Sequence, residues 1–357
     1  MNFNMRRYTS IIMMISFWII LIIGSLYIPR LLYSSQEEKS INMLIWPITV
    51  DPEMLKVFER ETGIRVYINY FESNEELLAK LAVTKGRGYD LIVPSDYTVD
   101  YMIKNNMLQK IDHTKLNFYN RFNPRLLGHY FDHDNTYSLP FVWGVYGLGV
   151  DKEFFTGGTP EATWDLIFKE NNYDIGMLDM PREAIQIVAK YLYGTAQNLT
   201  NDRLQKIQEL LLVQKKWVYT YTSLQADYVL ASRSSPVVVT SSSEIGNVME
   251  NYDFIDFIVP REGSFLVIDS LVIPAKSKKQ DYIYELINFL YKKDIFNHHA
   301  QKYHFLSPMT DGHDEQKDGK QKEMVTFTDE EFKKLEFFKG SISEEQINDI
   351  WITLKSQ

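Results

Sequence analysis

The segment from Ile41 to Val93 constrains the fold more than any other part of the chain, because strand and helix signals alternate along it. Ile41–Trp46 is an apolar run of strand length. Asp51-Pro52-Glu53 then opens a helix. Asp accepts from orphan N–H groups, Pro suits the first helical position, and an acid suits the positive end of the helix dipole. Met54, Leu55 and Phe58 give that helix an apolar stripe, and Gly63 ends it. Arg65–Tyr70 alternates polar and apolar residues, as a strand does. Asn74-Glu75-Glu76 caps a second helix whose Leu77, Leu78, Leu81 and Ala82 share a face, and Asp90–Val93 is a short apolar strand. Strands joined through helices run parallel, with the helices covering the sheet, so the segment specifies an α/β fold. Pro94-Ser95-Asp96-Tyr97 follows the carboxyl end of the third strand, where open α/β sheets hold ligands.

The later segments mix both signals. Tyr137–Val150 is an apolar, glycine-containing crossing, and Asn201–Lys216 is an amphipathic helix. Pro236–Thr240, Phe254–Val259 and Phe265–Pro274 read as strands, the last with Asp269-Ser270 inside it. Tyr282–Tyr291 reads as a helix and Asp311–Glu323 as a charge-dense loop. At 357 residues, two domains are expected. The 38 Lys and Arg against 47 Asp and Glu leave a net charge of −9. Residues 1–35 hold three arginines and no acid, so the remainder carries 35 bases against 47 acids, or −12. That balance disfavours nucleic acid as a partner and suits a cationic ligand. With no cysteine, the chain has no disulfide, thiolate metal site, Cys nucleophile or lipidated Cys. No cofactor and no metal are expected.

Arg6 and Arg7 precede an unbroken apolar stretch from Ile11 to Ile28. A basic flank before such a run is the pattern of a signal peptide or signal anchor. Eighteen helical residues span roughly 27 Å, close to a hydrocarbon core. The exit, Tyr27-Ile28-Pro29-Arg30-Leu31-Leu32-Tyr33-Ser34-Ser35, offers no good small-x-small cleavage site. Residues 1–35 are therefore expected to form a transmembrane anchor in preference to a cleaved signal, with the body from about Glu37 outside the cytoplasmic membrane.

Several strings stand in a telling order. Glu61-Thr62-Gly63-Ile64-Arg65-Val66 is followed by Tyr70-Phe71-Glu72-Ser73-Asn74-Glu75, then by Tyr89–Val99 and Leu108-Gln109-Lys110-Ile111-Asp112. After them come Tyr137–Gly144, Arg182-Glu183, Asp269–Pro274 and Leu286–Leu290. From about Ile41 to Met309 this order resembles the spermidine/putrescine-binding periplasmic receptors of ABC transporters. The resemblance implies a two-lobed periplasmic-binding-protein fold of type II with the ligand cleft between the lobes. One lobe would be 38–145 with 269–313, the other 146–268 with 314–357. It further implies a receptor that passes a small cationic ligand, a polyamine, to ABC transporter permease subunits; a monomer is expected. Matched residue by residue, the ligand contacts would be Trp46, Ser95, Tyr97, Glu183, Ser223 and Asp269. The departures are equally specific: Pro47-Ile48-Thr49 stands where acidic and hydroxyl residues are expected, and Met180 where an acid is. No Trp stands near Thr240 or Val267, and Phe305 replaces a hydroxyl-bearing aromatic.

A polyamine is a string of ammonium groups on CH₂ stems, so its site needs carboxylates for the charges and aromatic faces for the stems. Glu183 and Asp269 would supply the charge, Trp46 and Tyr97 the faces. Each also has a plainer reading. Asp269 is a turn or cap acid, although it sits inside an apolar strand. Glu183 is a surface partner of Arg182 or a first-turn helix acid. Trp46 is core, and Ser95 and Tyr97 cap a helix. A membrane-tethered hydrolase using Glu183 and Asp269 as acid and base is the competing function. His129 and His133 read as a hydrated turn, His298-His299 lacks metal-ligand spacing, and Gly86-Arg87-Gly88 is a turn before a strand. With Ile48, Met180 and Val267 at the departures, a cation with fewer charges than spermidine is expected, putrescine first. Asp96, Asp179 and Asp227 are the acids that would restore the missing charge.

Overall fold

The structure, a computed structural model, describes residues 13–25, 39–311, 327–339 and 342–356. The strands are β1 (Ser40–Ile45), β2 (Arg65–Tyr70), β3 (Leu91–Ile92), β4 (Ser138–Asp151), β5 (Ile175–Leu178), β6 (Val218–Thr222), β7 (Val237–Ser241), β8 (Ile255–Ile258), β9 (Phe265–Val272) and β10 (Glu336–Phe337). They run in the order β2-β1-β3-β9-β4-β7-β5-β6, with β8 on β4 and β10 on β9. Two parallel groups result, β2-β1-β3 and β7-β5-β6, as the helical crossovers require. The antiparallel strands β4 and β9 join them.

β4 is the element that carries the chain across. Its residues 138–145 pair with β9, and its residues 146–151 pair with β7 and β8. It is buried along almost its whole length, which explains why the sequence reads as a continuous apolar run. Gly147 is required there. A Cβ would stand 2.5 Å from the Ile258 carbonyl oxygen and 2.6 Å from the Phe257 ring.

The two largest of the four hydrophobic clusters among the described residues follow from this layout. The first joins Ile41, Met43 and Ile45 of β1 with Leu139 and Phe141 of β4 and with the helix Gln280–Leu290. The second joins Leu148 and Val150 of β4 with Met177, Val237 and the helix Pro181–Tyr193. Phe327, Phe332, Leu335 and Phe337 pack with Leu44, Phe131 and Leu266 on the first side, whereas Phe338, Ile342, Ile350 and Leu354 enter the second core.

The helix starts obey their local chemistry. Asp51 accepts from Glu53 N at 3.1 Å, and Gly63 closes the helix Pro52–Thr62 in the left-handed region. The second helix is capped by Ser73, not Asn74: Ser73 Oγ accepts from Glu76 N at 3.1 Å. Asn74 is thereby freed to turn inward. Residues 13–25 are helical with exposed side chains. No helix of the described residues is long and apolar enough to cross a membrane. The remainder of the expected anchor, 1–12 and 26–35, lies outside the described residues, as does 312–323 of the charge-dense loop.

Candidate functional site

Trp46, Ser95, Tyr97, Glu183, Ser223 and Asp269 all line one cavity of about 260 Å³ between the two cores. Each reaches it from the end of an element. Trp46 follows β1, Ser95 and Tyr97 open the helix Asp96–Lys104, and Glu183 lies in the first turn of the helix Pro181–Tyr193. Ser223 follows β6, and Asp269 lies in β9 opposite Val142 of β4.

Asp269 is the floor of the site. Ser95 Oγ donates to its Oδ1 at 2.6 Å. Trp46 Nε1 is buried without a hydrogen bond of good geometry, yet it stands close enough to favour the Asp269 anion. Asp269 is half-buried and lines the cavity. Burial pushes its carboxyl up to about 6, against the opposing pull of Ser95 and Trp46. The Trp46 ring leans on Phe71 with centroids 4.4 Å apart, so Trp46 both packs on the first core and faces the cavity.

A hydrogen-bonded chain crosses from one side to the other. Ser95 N donates to Asn74 Oδ1 at 3.3 Å, Asn74 Nδ2 to the Tyr97 hydroxyl at 3.0 Å, and that hydroxyl to Glu183 Oε1 at 3.3 Å. Glu183 is buried, and it is no surface partner of Arg182, which instead reaches Glu344 and the Ile342 carbonyl. Burial first, and then the charge of Glu75, raise Glu183 to about 7. Ser223 Oγ donates to the Asp179 carbonyl at 3.3 Å, so its hydroxyl is engaged with the neighbouring strand end.

The sequence reading missed three groups. Glu244 lines the cavity, with its oxygens taking the Ala226 N–H and the Thr240 hydroxyl, both at 2.9 Å. Burial, with the Asp227 charge adding to it, raises Glu244 to about 7. The signal was present as Ser241-Ser242-Ser243-Glu244, but that spacing reads as an ordinary helix start. Tyr146 also lines the cavity, and burial followed by Glu183, Glu244 and Asp269 raises its phenol well above the ordinary value. The third group is Lys302.

Of the acids named as replacements, only Asp227 lines the cavity. Asp179 pairs with Lys355 at 2.8 Å, and Asp96 is fully buried behind β9, accepting from Ile268 N and Tyr130. Ile48, Met180, Val267 and Phe305 all line the cavity, so the apolar departures are real features of its wall. No cluster of three or more His, Asp or Glu able to hold a metal occurs among the described residues.

A cleft between two α/β lobes, lined by aromatic rings and buried carboxylates, has relatives. Residues 53–326 match the family described as bacterial extracellular solute-binding protein. The chain belongs to that family. The spermidine/putrescine-binding periplasmic protein of Salmonella typhimurium is 32% identical over 271 residues, 74% of this chain and 76% of its own. The putrescine-binding periplasmic protein PotF of Escherichia coli is 29% identical over 282 residues, 73% of this chain and 76% of its own. Among solved structures, the spermidine/putrescine ABC transporter substrate-binding protein PotD of Streptococcus pneumoniae superposes with a TM-score of 0.75 at 25% identity. That match covers 89% of this chain and 99% of PotD. The two-lobed periplasmic-binding-protein fold expected from the sequence is therefore present. The hydrolase alternative finds no support, since the relatives of this solute-binding family member are binding proteins.

Proposed function

We propose that this solute-binding protein is the receptor of an ABC importer and captures a linear amine, a polyamine such as putrescine or spermidine, in the cleft between its lobes. The observation that carries the reading is the pairing of Trp46 and Tyr97 with the buried Glu183 and the half-buried Glu244 and Asp269 around one cavity. Aromatic faces suit CH₂ stems and ammonium groups, and buried carboxylates without a basic partner need a cation to compensate them. The printed names of the relatives support the same ligand class.

The ligand contacts in this reading are Trp46, Ser95, Tyr97, Glu183, Ser223 and Asp269, with Glu244 added. In this reading 38–145 with 269–313 is the lobe that closes on 146–268 with 314–357, and closure hides the ligand until a membrane permease receives it. The chain acts as a monomer on the outer face of the cytoplasmic membrane, tethered by its apolar N-terminus. A thermal-shift panel tests the ligand class. Putrescine or spermidine at ~100 times Kd adds roughly 2.7 kcal/mol of stability. Stabilisation by neutral sugars or acidic amino acids and by no amine overturns the reading.

A further inference from the structure

Lys302 is the one cation lining the cavity among the described residues; every other charged group there is an acid. A fixed ammonium inside a site for ammonium groups needs an explanation. Lys302 sits in the last turn of the helix Lys293–Tyr303, where the helix dipole favours a cation. Its Nζ lies 2.8 Å from Asp51 Oδ2. Asp51 is almost fully buried and immobile, because it caps the helix Pro52–Thr62 and also takes His298 Nε2 at 2.8 Å. Burial raises the Asp51 carboxyl, but the hydrogen bonds from His298, Lys302 and Glu53 N together outweigh it and hold it below the ordinary range. The bond to Asp51 in turn raises Lys302, so its charge persists at any physiological pH. The loop Trp46–Thr49, which also lines the cavity, leads directly into Asp51.

We infer that Lys302 limits the charge of the ligand: its ammonium, held by Asp51, repels a further ammonium at this end of the cavity, so the site selects a diamine over a triamine. This rests on the amine reading of the cleft. Among the described residues, five acids line the cavity: Asp269, Glu183 and Glu244, contributed by β9 and by the first turns of two helices, and with them Glu72 and Asp227. Ile48 and Phe305, which also line the cavity, accept CH₂ groups but no charge. Replacing Lys302 by Met keeps the stem, removes the repulsion and leaves Asp51 with only His298 and the Glu53 N–H, so that end turns more negative. Lys302 has a side chain 45% exposed, so the change disturbs little packing.

The test is calorimetric titration of the purified full chain with putrescine and with spermidine at one pH and one ionic strength. The native protein is expected to bind putrescine at least tenfold more tightly than spermidine. Lys302→Met is expected to tighten spermidine at least tenfold while moving putrescine less than threefold, and Lys302→Arg to keep the native ratio. A native preference for spermidine, or a Lys302→Met ratio within threefold of native, overturns the inference and leaves the amine reading standing. Binding of neither amine to the native protein overturns the amine reading and the inference with it.

Discussion

Affinity for a cationic amine must rise steeply with pH, because the acids facing the cavity are partly protonated near neutrality. Burial raises Glu183 to about 7 and Asp269 to about 6 in the empty protein. At pH 5.5 a group of pKa 7 is ~0.03 ionised and one of pKa 6 ~0.24, so both are ionised together in under ~1% of molecules. At pH 8 both are ionised in ~90%. A ligand that needs the two anions therefore gains about 100-fold between these pH values, ~2.7 kcal/mol at ~1.36 kcal/mol per decade. Aliphatic amines, with pKa near ~10, stay charged throughout, so the change belongs to the protein. Glu244, also raised to about 7, steepens the slope if it contacts the ligand. Binding near pH 6.5 must also release protons, as the arriving ammonium groups drive the acids to ionise. Calorimetry at pH 5.5 and 8, with two buffers of different ionisation heat at pH 6.5, measures both effects. An affinity constant within threefold over the range, or proton uptake on binding, would refute the reasoning.

Three further outcomes are expected. Asp269→Asn should cost ~2–5 kcal/mol of amine affinity, because the ligand charge it meets stays buried without a partner; calorimetry on a variant with a near-native melting temperature checks this, and unchanged affinity removes Asp269 from the site. The unliganded protein should lose stability as pH rises from ~5 to ~8: unfolded carboxyls titrate near ~4, the buried ones higher, so the native state holds the extra protons in that window. Denaturant melts should show roughly 4 kcal/mol less stability at pH 8 than at pH 5, because Glu183, Glu244 and Asp269 together lose about 6 kcal/mol over that window while buried His299, held down to about 4, returns about 2 kcal/mol and Asp51 acts only at more acidic pH; the opposite slope would contradict the burial of these acids. Gly147→Ala should destabilise by ~1–3 kcal/mol, since its Cβ meets backbone that cannot move aside, and an unchanged melting temperature would contradict the tight β4–β8 approach.

Much of this architecture is legible in the sequence because it is local. Asp51-Pro52, Gly63 and the short apolar strands state their own conformations, and the resulting order allows only a parallel sheet with covering helices. The acids that line the cavity are harder. Glu183 is a first-turn helix acid and also faces the cavity, so its local signal could not separate the two readings. Glu244 stands three residues after its N-cap Ser241 and reads as a helix start, yet its carboxylate turns instead to Ala226 and Thr240. Asn74 looked like a cap because Ser73 beside it does the capping. Lys302 was invisible for another reason: its meaning comes from Asp51, far away in the chain, and only the folded first lobe brings them within 2.8 Å. For the charge missing at Met180 the sequence offers Asp96, Asp179 and Asp227, whereas Glu244, from a different helix, lines the cavity without any such signal.

The central claim, that the cleft between the lobes is a site for a linear amine, is tested most directly by titrating the purified chain with putrescine and spermidine while recording tryptophan fluorescence. Trp46 and Trp143 both line the cavity, so an occupied site must change their emission. The account predicts a saturable change at one ligand per chain that Glu183→Gln with Asp269→Asn abolishes. No change with either amine, or an unaltered titration in that double variant, would contradict it.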